Sequence, residues 1–322
     1  MKEEYIVIGP GSDYVKHIFS DIDNFEGGTL FATPVKDGNK LLTLVHHIHF
    51  SLAINRKLNL PFKRVWNNYY SLSQVKFDDS VQYYLVFTDI SACRYSYKYL
   101  CELSRKKNVK LGISILNIMS AVGSLLKEKL ELFDYIFSFD KKDSQKYGFI
   151  FWPLIYSSSP EVEKENCINR AFFVGNAKRR LDIIHGVFDQ LSQLDIPSEF
   201  YVSKVSKDRQ VYTQDPHFHY NQWLNYKDVM METQRSNCVV EIVDDNQSGL
   251  TLRSAEAITM NKKILTNNES IKLSKFYDPK RIFIFKDPKE ITLEFFNQNL
   301  EVDYQYDNSF SPEMLIKYMK QN

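Results

Sequence analysis

The 322-residue sequence has almost no excess of charge of either sign. It contains 41 Lys and Arg residues against 40 Asp and Glu residues, so its formal net charge is +1. A strong overall attraction to nucleic acid or to an anionic membrane is therefore not expected. Any anionic ligand must instead be bound by a local group of donors.

The sequence also lacks cysteines spaced as metal ligands and long apolar runs. The four cysteines, Cys93, Cys101, Cys167 and Cys238, form no C-x-x-C motif, so neither a zinc site nor a thioredoxin-like site is indicated. We expect reduced, buried thiols. No segment has the ~18 consecutive apolar residues of a membrane span, and the apolar run before Gly9 is too short for a signal peptide. These features predict a soluble cytoplasmic protein.

Short apolar runs alternate with amphipathic stretches along the whole chain. Runs rich in Val, Ile, Tyr and Phe predict buried strands, and a period near 3.6 predicts helices between them. The predicted strands are residues 5–8, 83–88, 109–113, 135–138, 171–174, 199–202, 238–243, 263–266 and 281–285. The predicted helices include residues 95–107, 178–194, 227–234, 250–260 and 312–319.

This alternation predicts an α/β protein with parallel sheets covered on both faces. The length suggests two domains, and the Ser-, Pro- and Glu-containing stretch 151–166 is the predicted boundary. We therefore expect two Rossmann-like domains, residues 1–155 and 167–322, that face each other across a cleft. Ligands of such domains bind to loops at the carboxyl ends of the strands.

The segment DDNQSGLTLRSAEA, residues 244–257, follows a predicted strand and has the composition of an anion site. A helix that begins near Leu250 would leave the first-turn amides unsatisfied and positively polarised. Gly249 would let a ligand approach the main chain, and Ser248, Thr251 and Arg253 would add polar or charged groups.

Glu256, further along the same helix, could accept both hydroxyls of a ribose. The alternative is an ordinary helix capped by Ser248, in which Arg253 and Glu256 form a solvent-exposed i,i+3 pair. The residues by themselves leave both interpretations open.

A second segment, FFVGNAKRRLDIIHGVF at residues 172–188, predicts a strand, a turn at Gly175 and a helix. Lys178, Arg179 and Arg180 would lie in the first turn of that helix. Because cations are unfavourable at the positive end of a helix, three of them there indicate an anionic partner. The alternative is a solvated basic turn.

The segments VGNAKRRLD and VVEIVDDNQSGLTLRSAEAITMNKKILTNN resemble the donor half of GT-B glycosyltransferases, especially the bacterial enzymes of capsule, exopolysaccharide and lipopolysaccharide assembly. The stretch FDYIFSFDKKDSQKYGFIFWPLIY, residues 133–156, resembles the segment that those proteins carry before their interdomain linker. The string Q-S-G-L-T-L-R-x-x-E-A is the most specific part of the resemblance.

The resemblance implies a hexosyltransferase that uses a nucleotide-diphosphate sugar, no other cofactor, and a lipid-linked bacterial surface glycan as acceptor, with transient contact at the inner face of the membrane. Glu256 would bind the ribose, and the basic residues would balance the charge of the diphosphate. Many retaining relatives have a glutamate where this chain has Ser248, which favours an inverting enzyme. The implied donor-binding residues are Gly175, Lys178, Arg180, Gln247, Ser248, Gly249, Leu250, Thr251, Leu252, Arg253 and Glu256.

The chemistry requires fixed donors that stabilise the negative charge growing on the leaving diphosphate, so no metal is obligatory. The D-x-D string at 21–23 is expected to be a surface turn. An inverting reaction also needs a base on the acceptor side, and Asp13 and Asp89 follow predicted strands there. Helix capping is the alternative role for both. Gly9 and Gly11 would admit the diphosphate or form the turn.

Histidines and aromatic residues give weaker signals. The cluster at His46, His47 and His49 is interpreted as packed or facing the acceptor rather than as a metal site, and His217 and His219 do not suggest zinc either. Most aromatic side chains must belong to the core. Those considered for stacking on a sugar or base are Trp66, Tyr69, Tyr70 and Trp223.

Two other functions fit the same residues. A nucleotide-sugar epimerase would use the donor site without an acceptor. A non-catalytic scaffold of polysaccharide assembly would keep the fold but would need neither a donor nor an acceptor. A Rossmann dehydrogenase is disfavoured because the first turn, GPGSDY, lacks the third glycine of G-x-G-x-x-G. No nucleic-acid partner is expected.

Overall fold

The computed structural model describes residues 2–36, 40–55, 57–58, 60–158, 168–244, 249–297 and 302–322. The chain divides into two compact units. Unit 1 comprises Met1–Ser157 and Phe310–Asn322, and unit 2 comprises Ser158–Ser309. Among the described residues, no helix combines the length and the hydrophobicity that a membrane crossing requires.

Unit 1 is built on a six-stranded parallel sheet in the order β2-β1-β3-β4-β5-β6. The direction of strand addition reverses between β1 and β3, which makes this the topological switch point of the sheet. Its strands are β1 Lys2–Ile8, β2 Gly28–Phe31, β3 Val81–Thr88, β4 Val109–Ile115, β5 Tyr135–Ser138 and β6 Ile150–Phe151. Its helices up to the unit boundary are α1 Asp13–Ile18, α2 Lys40–His49, α3 Leu52–Asn55, α4 Asp89–Cys93, α5 Tyr97–Ser104, α6 Met119–Leu130 and α7 Lys141–Tyr147.

Unit 2 also contains a six-stranded parallel sheet, in the order β12-β11-β10-β7-β8-β9. Counted from β7, this is the 3-2-1-4-5-6 order of dinucleotide-binding domains, with the switch point between β7 and β10. Its strands are β7 Ile168–Asn176, β8 Ser198–Ser203, β9 Phe218–Tyr220, β10 Ser236–Glu241, β11 Lys263–Thr266 and β12 Ile282–Ile284. Its helices are α8 Leu181–Gln193, α9 Tyr226–Arg235, α10 Leu252–Thr259 and α11 Leu293–Asn297.

The last helix, α12 (Pro312–Gln321), belongs to unit 1. The ring of Tyr318 packs at 5.8 Å from Phe137 of β5, and the absence of a side chain at Gly112 of β4 leaves room for Met319. The predicted domain 167–322 therefore differs from the observed division in its final segment, because the chain returns to the first sheet after Ser309.

The predicted parallel α/β architecture is confirmed. The central strand β3 is buried on both faces, which explains why its sequence, VQYYLVFT, is almost continuously apolar. The short strands β2 and β9 were not predicted, because Gly28 and Thr29 in β2 and His219 in β9 interrupt the apolar runs by which the other short strands were recognised.

Candidate functional site

The two segments singled out for anion binding in unit 2 follow adjacent strands. In the parallel pair of β10 and β7, Cys238 lies opposite Ala171 and Val239 opposite Phe172. Both strands end at the same edge of the sheet, so the loops that begin after Asn176 and after Glu241 both leave from the switch point. Ligands of doubly wound sheets bind at this position.

Arg180 links the ends of these two strands. Its guanidinium donates to the carbonyl of Asn176 at 2.6 Å and to the carbonyl of Ile242. Burial lowers the pKa of the guanidinium, and the acidic groups of Asp244 and Glu241 oppose this shift. Within the described residues its Nε atom is buried and lacks a hydrogen-bond partner. Arg180 is therefore a partly buried cation fixed at the switch point.

Gly175 accommodates this cation. A Cβ atom at that position would lie 3.7 Å from the Arg180 guanidinium and 3.2 Å from the ring of Phe173. A side chain would thus crowd the ring of Phe173, while its Cβ would be in ordinary van der Waals contact with Arg180. Packing against Phe173 therefore explains the glycine at position 175 without any ligand.

Lys178, Arg179 and Arg180 precede α8 rather than occupying its first turn, which corrects the sequence-based prediction. The helix begins at Leu181, Lys178 has a left-handed backbone with φ of 44°, and the amide of Arg180 donates to the carbonyl of Ala177 at 2.8 Å. The turn between β7 and α8 therefore carries the three cations, two of which, Lys178 and Arg179, are exposed.

The loop after β10 is held by two asparagines that follow β11. Asn267 accepts from the amide of Val243 at 2.7 Å and donates to its carbonyl at 3.1 Å. Asn268 donates to the carbonyl of Gly249 at 2.8 Å. Gly249 has φ of 88° and open space where a Cβ would lie, so backbone conformation is the reason for glycine there. The predicted donor residues Gln247 and Ser248 lie outside the described part of the chain.

Thr251 caps α10, which begins at Leu252 and not near Leu250 as predicted. The Thr251 hydroxyl accepts from the amides of Arg253 at 3.1 Å and Ser254 at 3.4 Å, and the Thr251 amide donates to the Ser254 hydroxyl at 3.3 Å. This capping box occupies three amides of the first turn. The candidate amide donors for an anion are therefore those of Gly249, Leu250 and Leu252.

Glu241, at the end of β10, was missed by the sequence analysis. It is 2 % exposed, and its Oε1 accepts from the hydroxyls of Ser254, at 2.5 Å, and Thr251. Its Oε2 accepts from the hydroxyl of Thr266 at 2.6 Å. The carboxylate thus joins β10, the cap of α10 and β11. A single acidic residue inside the apolar run CVVEIV was the available signal.

Glu256 is completely buried in α10 and has two partners. Its Oε1 accepts from the hydroxyl of Tyr226 at 2.6 Å and from Nη2 of Arg253 at 2.7 Å, and Nη1 of Arg253 lies 2.6 Å from Oε2. Burial raises the pKa of Glu256, while Arg253 and Tyr226 oppose this shift. The i,i+3 pair considered from the sequence is therefore present, but it is buried rather than solvent-exposed.

In unit 1, the two predicted glycines of the first loop have structural roles at the switch point. The amides of Gly9 and Gly11 each donate at 2.8 Å, to Phe31 and Ala32 respectively. A Cβ at Gly9 would lie 2.9 Å from the carbonyl oxygen of Ala32, and Gly11 has φ of 89°. These contacts fix the β1–α1 turn against the end of β2.

The two candidate bases of unit 1 differ in accessibility. Asp13 is exposed in the first turn of α1, whose N-cap is Ser12. Asp89 is 1 % exposed, and its Oδ2 accepts from both the amide and the side-chain nitrogen of Asn117 at 2.9 Å. Burial raises the pKa of Asp89, and the bonds from Asn117 oppose the shift. Asp89 thus joins the loops after β3 and β4, while Thr88 caps α4.

His46 and His49 are structural side chains. His46 is 2 % exposed with its ring 4.7 Å from that of Phe50, and burial lowers its pKa to about 4. His49 receives a hydrogen bond at Nδ1 from the indole of Trp66 at 2.8 Å, so its Nε2–H donates to the carbonyl of Pro61, also at 2.8 Å. Their packed role agrees with the sequence analysis.

Two of the proposed stacking residues are not available to a ligand. Trp66 and Tyr70 are 4 % and 0 % exposed, which contradicts that prediction, whereas Tyr69 and Trp223 are 46 % and 86 % exposed. Among the described residues, no three His, Cys, Asp or Glu side chains are grouped so that they could hold a metal ion. His217 and His219 both contact Glu199 instead.

No family model matches the chain, and no curated protein matches its sequence. Solved structures do match along its whole length. One, described as the OtsA apo structure, has a TM-score of 0.57 and 12 % identity, with 100 % of each chain covered. An α-glucosyltransferase in complex with UDP and a mismatched 13-mer DNA has a TM-score of 0.57 and 12 % identity, covering 99 % of this chain and 100 % of that one.

An α,α-trehalose-phosphate synthase (UDP-forming) from Burkholderia vietnamiensis has a TM-score of 0.51 at 8 % identity, with 100 % of each chain covered. The chain has the GT-B fold. At these identities the likeness concerns the fold, so function has to be argued from the site.

Proposed function

We propose that the chain is a glycosyltransferase that transfers a hexose from a nucleotide-diphosphate sugar to an acceptor hydroxyl. One observation carries this proposal. The two segments selected from the sequence for anion chemistry follow β7 and β10, the strands that flank the switch point of unit 2. The fold adds support, since similar structures include an α-glucosyltransferase in complex with UDP and a UDP-forming synthase.

The proposed diphosphate site combines charge with main-chain donors. Arg180 and Lys178 supply the positive charge, and the amides of Gly249, Leu250 and Leu252 supply hydrogen bonds. As the bond between the sugar and the diphosphate breaks, negative charge grows on the leaving group, and fixed donors stabilise it without reorganisation. Thr251 supports this site as the helix cap rather than as a direct ligand.

The proposed ribose site is the carboxylate of Glu256. In the structure this carboxylate accepts hydrogen bonds from Arg253 and Tyr226. On nucleotide binding, Arg253 would turn from Glu256 to the diphosphate, and the two ribose hydroxyls would replace its hydrogen bonds. The buried carboxylate then keeps hydrogen-bond donors, from Tyr226 and the ribose, after its ion pair with Arg253 is broken.

On the acceptor side, we propose Asp13 as the general base and Asp89 as a positioning residue. The acceptor oxygen attacks the anomeric carbon, the bond from that carbon to the diphosphate breaks with inversion, and Asp13 takes the hydroxyl proton. Asp13 is exposed, whereas both oxygens of Asp89 accept hydrogen bonds from the main chain or Asn117. The proposed acceptor is a lipid-linked bacterial surface glycan, and no metal takes part.

A thermal-shift screen of uridine, guanosine, cytidine and deoxythymidine diphosphates tests the donor site. A nucleotide at a hundred times its Kd stabilises the folded chain by about 2.7 kcal/mol. Absence of any shift would contradict the donor assignment. With the matching nucleotide sugar, an elongated glycan is the expected product, while a free sugar isomer would indicate an epimerase instead.

The acceptor-side assignment has its own test. Asp13→Asn should abolish transfer, with activity reduced by at least a hundredfold, while leaving the nucleotide-induced thermal shift unchanged. Asp79→Asn, at another exposed aspartate of unit 1, is the matched control and should retain activity. Full activity of Asp13→Asn would exclude this residue as the base. Retention of activity in EDTA tests metal independence.

A further inference from the structure

Helix α2 exposes an apolar stripe to solvent. Leu41, Leu44, Val45 and Ile48 are 69 %, 56 %, 48 % and 51 % exposed. Their i, i+3, i+4, i+7 spacing places them on one face of the helix. The opposite side is fixed to the protein, since His46 is buried. An amphipathic helix of a globular protein normally buries this face, so the stripe requires an explanation.

The chain after α3 extends the apolar surface beside this helix. Leu58, Phe62 and Val65 are 63 %, 79 % and 58 % exposed. The segment is attached to the end of α2 by the hydrogen bonds of His49 to the Pro61 carbonyl and to the indole that follows Val65. Phe62 has φ of 61°, a conformation that an aromatic residue rarely adopts. Phe62 thus combines an exposed ring with a strained backbone.

All Asp, Glu, Lys and Arg positions of the same region are occupied by basic residues. The sequence from Gly38 to Phe77 contains no Asp or Glu but six Lys or Arg residues, in a chain whose overall net charge is only +1. Lys57 and Arg64 are exposed next to Leu58 and Val65. We define the interfacial surface as the set Leu41, Leu44, Val45, Ile48, Lys57, Leu58, Phe62, Arg64 and Val65.

We propose that this interfacial surface binds the headgroup region of an anionic phospholipid bilayer. Exposed Leu, Ile and Phe side chains enter the boundary of the acyl chains, and the cations contact anionic headgroups. A second copy of the chain fits less well, because a two-fold contact would bring the same basic residues together. Nucleic acid would match the charge but would leave the apolar stripe in water.

Vesicle binding by the interfacial surface does not require sugar transfer, so it can be present or absent whether or not the chain is a glycosyltransferase. If both hold, unit 1 binds the bilayer and the acceptor is attached to lipid. The binding measurement needs only the purified 322-residue chain and phospholipid vesicles.

Vesicle co-sedimentation tests the charged part of the surface. We expect binding to vesicles of phosphatidylcholine with one third phosphatidylglycerol, and little binding to phosphatidylcholine alone. Lys57→Gln with Arg64→Gln should weaken binding by about thirty-fold, since each cation near an anionic surface contributes a factor of about five. The control pair Lys107→Gln and Lys110→Gln removes the same charge from exposed positions around the start of β4 and should bind as the wild type does.

The apolar part is tested with Leu44→Ser and Ile48→Ser combined, which should weaken vesicle binding by about tenfold or more. Leu273→Ser is the matched control, because Leu273 is 87 % exposed in unit 2. An unchanged melting temperature of each variant shows that it is folded. Sedimentation equilibrium and duplex-DNA anisotropy are measured on the same proteins.

Equal binding to neutral and anionic vesicles, or wild-type binding by both double variants, would overturn the proposal. So would a dimer that Leu44→Ser with Ile48→Ser converts to a monomer without any change in vesicle binding. Tight DNA binding that needs Lys57 and Arg64 but not Leu44 and Ile48, with no vesicle binding, would assign the surface to nucleic acid.

Discussion

Removing the carboxylate of Glu241 should destabilise unit 2 and weaken its proposed ligand site together. Glu241→Ala leaves the hydroxyls of Thr251, Ser254 and Thr266 without their common acceptor. An orphaned buried polar group costs about 1–3 kcal/mol, and some of these hydroxyls can turn to other acceptors. We therefore expect a loss of about 3–5 kcal/mol in the free energy of unfolding. Glu241→Gln, which keeps an acceptor and the side-chain volume, should lose only about 1–2 kcal/mol.

Urea unfolding followed by circular dichroism measures this loss of stability. Calorimetry shows whether the melting temperature of one unit falls while that of the other unit is unchanged. Glu4→Gln is the control: Glu4 also lies on a strand, but its ion pair with Lys2, at 3.1 Å, is largely exposed. Such pairs contribute little, so Glu4→Gln should change stability by less than about 1 kcal/mol. Because Glu241 holds the cap of α10, Glu241→Ala should also weaken nucleotide binding. A loss below about 1 kcal/mol for Glu241→Ala would refute the role assigned to this network.

Three other predictions follow from single residues. The pKa of His46 is lowered from 6.5 to about 4 by burial, so neutral His46 contributes stability that is complete above pH 6.5 and is lost as the pH falls towards 4. The stability difference between wild type and His46→Gln, measured by urea titration, should therefore shrink by about 2–3 kcal/mol between pH 7 and pH 4.5. Gly249→Ala should cost about 1 kcal/mol through its positive φ, and Gly249→Asn less, in the same assay. Lys129 donates to the carbonyls of Ala92, Cys93 and Tyr95, so Lys129→Met should lower the melting temperature, whereas Lys127→Met, on the same helix, should not.

Parallel sheets could be predicted from the sequence because strands that are buried on both faces have nearly continuous apolar sequences. The limits Tyr135–Ser138 and Lys263–Thr266 were predicted to the residue. Helix α12 could not be assigned to a unit in this way, since its amphipathic pattern does not specify which sheet it covers. The contact that decides this, Met319 against Gly112, joins positions far apart in the sequence.

Helix starts at the candidate site were predicted less well because tertiary contacts choose among adjacent caps. Ser248 and Thr251 are both good N-caps, and the bond from Thr251 to Glu241 favours the later start. Likewise the sequence could suggest a pairing of Arg253 with Glu256 but not its burial, which also involves Tyr226 of α9. The types of polar and charged group in these loops could be predicted from the sequence, whereas their hydrogen-bond partners could not.

The most direct test of the account is a calorimetric titration that compares two ligands and two proteins. The nucleoside diphosphate with the largest thermal shift and its 2′,3′-dideoxy analogue are titrated into the wild type and Glu256→Gln. The control is Arg235→Ala, at the last residue of α9. If Glu256 binds the ribose, the wild type should prefer the hydroxylated ligand by about 10- to 100-fold, and Glu256→Gln should lose most of that preference. The same preference in both proteins would show that Glu256 only pairs with Arg253, and would contradict the proposed donor site.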